Sequence, residues 1–143
     1  MQETDGFHGA KLALLRGDRL VSILRDKDPE IPYPDMWDLP GGGRDADESP
    51  EACVLRELKE ELSLTLREAD LRWKRQYVSD LDGKSTTWFF VAEVPELDIN
   101  RIRLGAEGQA WRMWDVARFL RMSNVVPMMR ARLSDYLAER EVA

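Results

Sequence analysis

The chain has a single cysteine, Cys53, and a single histidine, His8, among 143 residues. One cysteine excludes an internal disulfide and fits a reducing compartment. Its neighbours Val54 and Leu55 mark it as a small packing residue and not a nucleophile. His8 has no cysteine or second histidine to join it, so a zinc site has no support. Long apolar runs are missing too. The longest strongly apolar stretch, Trp88 to Ala92, is far short of the ~20 residues of a membrane helix. No basic segment followed by an apolar run opens the sequence, so no secretory signal is expected. Positive charge is in deficit: 21 Lys and Arg stand against 27 Asp and Glu, a net charge of −6. That balance discourages stable binding to nucleic acid or to an anionic membrane. These absences leave a cytoplasmic protein with one domain, residues 1–143, large enough for a proper core and too small for two.

Internal repeats and low-complexity segments are absent as well, and the elements that remain read in order. Residues 8–15 and 19–25 are strand-like and join across Gly17-Asp18. Pro29, Pro32 and Pro34 then forbid both helix and central strand, so a surface loop leads into Trp37-Asp38-Leu39-Pro40-Gly41-Gly42-Gly43. Three successive glycines predict a loop whose backbone comes close to a ligand and exposes its carbonyls. Ser49-Pro50-Glu51 has the order of a helix start: cap, proline at the first position, acid in the first turn. That helix is expected to run to about Leu62 and to bury Val54, Leu55, Leu58 and Leu62. Strands follow at 71–79 and 84–94, linked through Asp82-Gly83, whose role is turn chemistry, and a short one at 109–114. Asp115 is placed to cap a short helix through Leu120. Met129, Leu133, Tyr136 and Leu137 give residues 126–140 a helical period. The predicted class is α/β, a mixed sheet with one helix on each face.

The segment from Gly42 to Leu64 carries the chemistry. Glu57, Glu60 and Glu61 follow directly on Arg56, and residues three and four apart share a helix face. Three carboxylates gathered there repel one another unless a divalent cation sits between them, and hard carboxylate oxygens suit magnesium or manganese. The plainer alternative is a solvated, salt-bridged helix face, with Arg56 and Glu60 four apart and able to pair.

Further residues decide between these readings. From Gly42, Glu48 lies six positions on, and Arg56-Glu57 follow after seven intervening residues. Leu58, one free position, Glu60-Glu61 and finally Leu64 complete the pattern. It resembles the Nudix box, the signature of hydrolases that cleave nucleoside diphosphates linked to another group. One position departs: Ser63 stands where the family has glycine, just past the last helical residue. A left-handed conformation there costs a side chain about 1 kcal/mol. The misfit concerns helix termination and not the acids.

The resemblance implies an α/β/α sandwich with a mixed sheet between the signature helix and a C-terminal helix. It implies Mg2+, with Mn2+ as substitute. It makes Glu60 and Glu61 the principal metal ligands, Glu57 a further ligand or the proton acceptor, and the Gly41 carbonyl part of the inner shell. Arg56 would then orient Glu57, with Gly42 and Glu48 supporting the box. Family members often place another glutamate in the loop after the central sheet, and Glu107, between Gly105 and Gly108, is that candidate. A surface acid is its plain alternative, and Glu57 is the preferred base. The two glycines are expected to give this loop flexibility. Arg25, at a strand end, can bind substrate phosphates or be an ordinary sheet-edge arginine. Trp37 and Trp88 can stack on a nucleobase or pack in the core, while Trp73, Trp111 and Trp114 are assigned to packing.

The activity so implied is metal-dependent hydrolysis of a small nucleotide. A nucleoside triphosphate pyrophosphatase of the housecleaning type, yielding a nucleoside monophosphate and pyrophosphate, comes first. ADP-ribose or another sugar or dinucleotide pyrophosphate comes second and is compatible with a homodimer. Removal of pyrophosphate from RNA 5′ ends is disfavoured by the acidic chain and the lack of a clustered basic track. A non-catalytic nucleotide-binding module is the reading of another class. Such modules commonly lose one of the glutamates, and this chain keeps them all.

Overall fold

The computed structural model describes residues 6–79 and 82–142. The reading of the first five residues and part of the expected 79–84 connection lie outside the described residues. The strands are β1 (Phe7–Arg16), β2 (Arg19–Leu24), β3 (Trp37–Asp38), β4 (Gly41–Gly43), β5 (Leu71–Val78), β6 (Thr86–Glu93) and β7 (Ala110–Asp115). The helices are α1 (Pro50–Leu62), α2 (Val116–Phe119) and α3 (Pro127–Val142).

Strand β1 organises the sheet. It pairs antiparallel with β2 through Leu15 and Arg16, and antiparallel with β4 through Gly9, Ala10 and Lys11. Along its other side it runs parallel to β6, which in turn pairs antiparallel with β5. Beyond β2 lie β3 and β7, so the sheet is mixed.

A strand covered on both faces needs apolar residues at every position, and β1 has them in Leu12 to Leu15, all buried. Their alternation separates two cores. Leu12 and Leu14 join Val21, Ile23, Trp88 and Phe90 under Cys53, Val54, Leu58 and Leu62 of α1. Ala13 and Leu15 join Leu20, Phe89 and Val91 under Met129, Leu133 and Tyr136 of α3. The expected α/β/α sandwich is the structure found. Among the described residues no helix is long and apolar enough to cross a membrane.

Two local expectations are corrected. Gly41 to Gly43 are not a free loop but the short strand β4, because β1 offers its backbone edge to them. Asp115 does not cap α2 with its side chain; its carboxylate lies 3.6 Å from Arg19 Nε, the residue opposite it in the sheet.

Candidate active site

Helix α1 begins as its sequence dictates. Ser49 Oγ accepts the Ala52 N–H at 3.1 Å, and Pro50 occupies the first turn. It ends at Ser63, which takes the left-handed conformation (φ 60°, ψ 25°) and donates its N–H to Lys59 O. The serine hydroxyl also donates to Arg103 O at 3.3 Å. The helix's last carbonyls are taken by the following chain: Arg103 N–H donates to Leu62 O, and Gly105 N–H to Glu61 O.

The acidic face of α1 meets β4. Gly41 has φ 135°, and a Cβ there would lie 2.1 Å from Ala10 O. A Cβ on Gly42 would lie 2.7 Å from the Glu57 carboxyl carbon. A Cβ is therefore obstructed at both glycines, at Gly41 by the β1 backbone and at Gly42 by the movable Glu57 carboxylate. Glu61 Oε1 accepts the Gly41 N–H at 2.7 Å, fastening strand to helix.

Arg56 holds the rest. Its Nε and Nη2 donate to the two Glu48 oxygens at 2.8 and 3.0 Å, and Nη2 also donates to Gly43 O at 2.8 Å. Nη1 reaches Glu60 at 3.0 Å and Glu57 at 3.2 Å. One guanidinium thus ties the loop acid, the glycine strand and two box glutamates together, with the bidentate geometry only arginine supplies. The Arg56 hydrogen bonds hold the Glu48 carboxyl below the usual range. Burial acts the other way on Glu57 and Glu61. It raises Glu57, against the pull of Arg56, and pushes Glu61 up to about 7 despite Lys11 and the Gly41 N–H.

A cavity of about 580 Å³ opens over these groups, lined by Glu57, Glu61, Gly41, Lys11 and Arg25, with Glu107 also on its wall. A second, of about 350 Å³, adjoins it and is walled by Tyr33, Val126, Met128, Met129 and Arg132. Lys11, Arg25, Asp38, Gly42 and Gly43 line both. An acidic chamber and a largely apolar one therefore share a wall.

The structure brings together Glu57, Glu61, Gly41, Gly42, Arg25 and Glu107 around the larger cavity. Glu60 stays on the exposed side, held by Arg56. Trp37 and Trp88 are not brought there: Trp37 packs edge-on against Trp114, and Trp88 is buried against Phe90 on the α1 side. Trp114 is buried, and Trp73 and Trp111 pack at the margins of the two cores. The Glu107 loop does not have the expected freedom. Gly105 is pressed onto α1, where a Cβ would lie 2.2 Å from Glu60 O, so glycine serves close approach there.

Sequence reasoning missed Lys11, Asp38 and Tyr33. Lys11 carried a signal, since a lysine inside an apolar central strand has to find an acceptor. Its Nζ donates to Asp38 Oδ2 at 3.0 Å, Leu39 O at 3.1 Å and Gly41 O at 3.3 Å. Tyr33 had none, because its place depends on how the proline loop folds back.

The donor set suits a hard dication: two box carboxylates and the Gly41 backbone adjoin one cavity, and burial leaves both carboxylates short of compensating charge. Among the described residues no three acidic, histidine or cysteine groups yet converge on one point. Glu60 is occupied by Arg56 and Glu61 by the Gly41 N–H.

Known proteins resemble this chain over most of its length. The family model described as NUDIX domain matches residues 7–134. An RNA pyrophosphohydrolase of Rhodospirillum rubrum is 31% identical over 92% of this chain and 84% of its own. One of Acidiphilium cryptum is 47% identical over 57 residues, 40% of this chain and only 34% of the relative's length. Among solved structures, the MutT protein of Methanosarcina mazei superimposes with a TM-score of 0.72. That likeness covers 98% of this chain and 99% of the other at 19% identity, and it speaks for the fold alone.

Proposed function

Because the chain belongs to the NUDIX domain family of pyrophosphohydrolases, we propose that it hydrolyses a phosphoanhydride bond in a nucleoside diphosphate derivative. Its substrate class is a nucleoside or deoxynucleoside triphosphate, released as a monophosphate and pyrophosphate. The observation that carries this reading is the adjacency of the two cavities, which share five lining residues. The acidic one suits a metal-bound polyphosphate, and the apolar one, with Tyr33 and the methionines, suits a flat base.

Glu60, Glu61 and the Gly41 carbonyl are the groups that would hold magnesium or manganese, which leaves Glu57 to accept a proton. The cation, when bound, neutralises phosphate oxygens and lowers the pKa of a coordinated water. The protein's own part is positioning and proton transfer. Attack of water oxygen on phosphorus forms one P–O bond as the bridging P–O bond breaks, and pyrophosphate leaves with the bond's electron pair. The water's proton goes to Glu57, whose buried carboxyl is a stronger base than an exposed one and is kept in place by Arg56. Glu107 stands on the wall of the same cavity as the second acid available for that proton.

A second reading, removal of pyrophosphate from RNA 5′ ends, is favoured by the R. rubrum relative, whose similarity extends over most of both chains. One assay separates the two. With Mg2+ or Mn2+, the protein is given NTPs, dNTPs, ADP-ribose and a 5′-triphosphate oligoribonucleotide. Monophosphate release from free nucleotides supports the first reading, and pyrophosphate release from the oligonucleotide alone supports the second. Activity on none of them overturns both.

A further inference from the structure

Where the two cavities meet, a buried acid holds two cations by one oxygen. Lys11 Nζ and Arg25 Nη1 each lie 3.0 Å from Asp38 Oδ2. The Asp38 side chain is only 6% exposed, while those of Lys11 and Arg25 are 21% and 26% exposed. Asp38 Oδ1 is spoken for by the Leu39 N–H at 2.7 Å. The carboxylate is therefore the least exposed of the three, and all three line both cavities.

The trio carries a net positive charge in a chamber otherwise lined by Asp26, Glu57, Glu61 and Glu107. Among the described residues lining that larger cavity, Lys11 and Arg25 are the only cations. Both have capacity for a ligand. Arg25 spends Nη1 on Asp38 and Nε on Pro32 O, and its Nη2 makes no hydrogen bond to a described residue. Of the three Lys11 bonds, the one to Gly41 O is the longest at 3.3 Å and is given up at least cost.

We propose that Lys11 and Arg25, held in place by Asp38, form a metal-independent seat for the phosphate that remains on the nucleoside. This inference rests on the nucleotide reading above and deepens it. A phosphate at the junction is joined on one side to the base-sized cavity and on the other to the acidic one, so the seat fixes which phosphorus the water reaches. Lys11 and Arg25 touch the substrate, and Asp38 is a positioning residue that acts through them.

Calorimetry in EDTA tests it with two pairs of probes, AMP against adenosine and GMP against guanosine. In the unmodified protein at least one monophosphate should bind about tenfold more tightly than its nucleoside, the share expected of charge-assisted hydrogen bonds. K11M should lower monophosphate affinity to the nucleoside's level and leave the nucleoside unchanged, with K11R restoring most of the difference. D38N should weaken the monophosphate alike, and K11M/D38N should lose no more than K11M. Should K11M fail to fold, R25Q reads the same comparison. Equal binding of monophosphate and nucleoside, or no binding of either, overturns the seat, and so does K11M behaving as the unmodified protein. Turnover of the substrate panel with K11M binding unchanged would sink the seat alone. The reverse outcome would sink the hydrolase reading alone.

Discussion

Gly41 donates its N–H to Glu61 across 2.7 Å, so the glycine strand is fastened to the signature helix by the carboxylate that burial pushes up to about 7. Unfolded, that carboxyl titrates near its ordinary 4.5. Below about pH 4.5 Glu61 is neutral in both states and its contribution to stability is complete. As pH rises through about 7 the folded protein must ionise a buried acid, and up to about 3 kcal/mol is lost. In EDTA the unfolding midpoint of E61Q should therefore rise relative to the unmodified protein between pH 5 and 8, and Mg2+ at pH 8 should close the gap by stabilising only the latter. A difference between the two proteins that ignores pH would refute the burial argument.

Gly42 faces the same helix, with the Glu57 carboxylate in the space a Cβ would fill. The obstacle is the end of a flexible side chain and not backbone, so G42A should fold with a stability change of about 1 kcal/mol or less. Its turnover should fall at least tenfold, because Glu57 has to swing away from the strand and from Arg56. G42A activity close to normal would show that the position of Glu57 matters little.

Gly105 meets backbone instead, with Glu60 O 2.2 Å from a Cβ position. The 103–105 segment caps the end of α1 through two N–H groups, so G105A must break that docking. A loss of about 2 kcal/mol or more is expected in urea unfolding, with increased hydrogen exchange at Arg103 and Gly105. Should G105A unfold at the normal denaturant midpoint, this segment is not fixed as described.

The termini of α1, the strand character of β1 and β6 and the spacing of the box were legible because they are local. Periodicity, caps and a fixed motif need only neighbouring residues. What could not be read depends on contacts distant in sequence. The glycine run became a strand because β1 lies beside it, and Gly105 proved a docking point because the end of α1 needed donors. The two tryptophans offered as stacking faces went into the cores, whereas Tyr33 reached the cavity at a left-handed φ of 51°. Asp38, one residue in a familiar-looking run, gained its meaning only when Lys11 and Arg25 met it.

Ser63 holds a conformation that suits glycine, and its only compensation is a hydroxyl bond of 3.3 Å to Arg103 O at an exposed position. S63G should stabilise the protein by roughly 0.5 kcal/mol, the left-handed strain relieved less the lost bond and the greater freedom of the unfolded chain. Turnover should not change. A destabilised S63G would mean that the hydroxyl bond outweighs the strain.

Glu60 is the exposed member of the acidic set, and its carboxylate is bound by Arg56 at 3.0 Å. A glutamine there keeps an oxygen for Arg56 and removes only charge, so E60Q should fold normally while turnover drops at least a hundredfold. Glu57 and Glu107 differ in what they would do to the pH profile. If Glu57 receives the proton, E57Q should abolish the rise of kcat on the acidic side, whereas E107Q should lower kcat and keep that limb. The opposite pattern would transfer the proton-accepting role to Glu107, and an E60Q enzyme of ordinary activity would remove Glu60 from the metal-holding set.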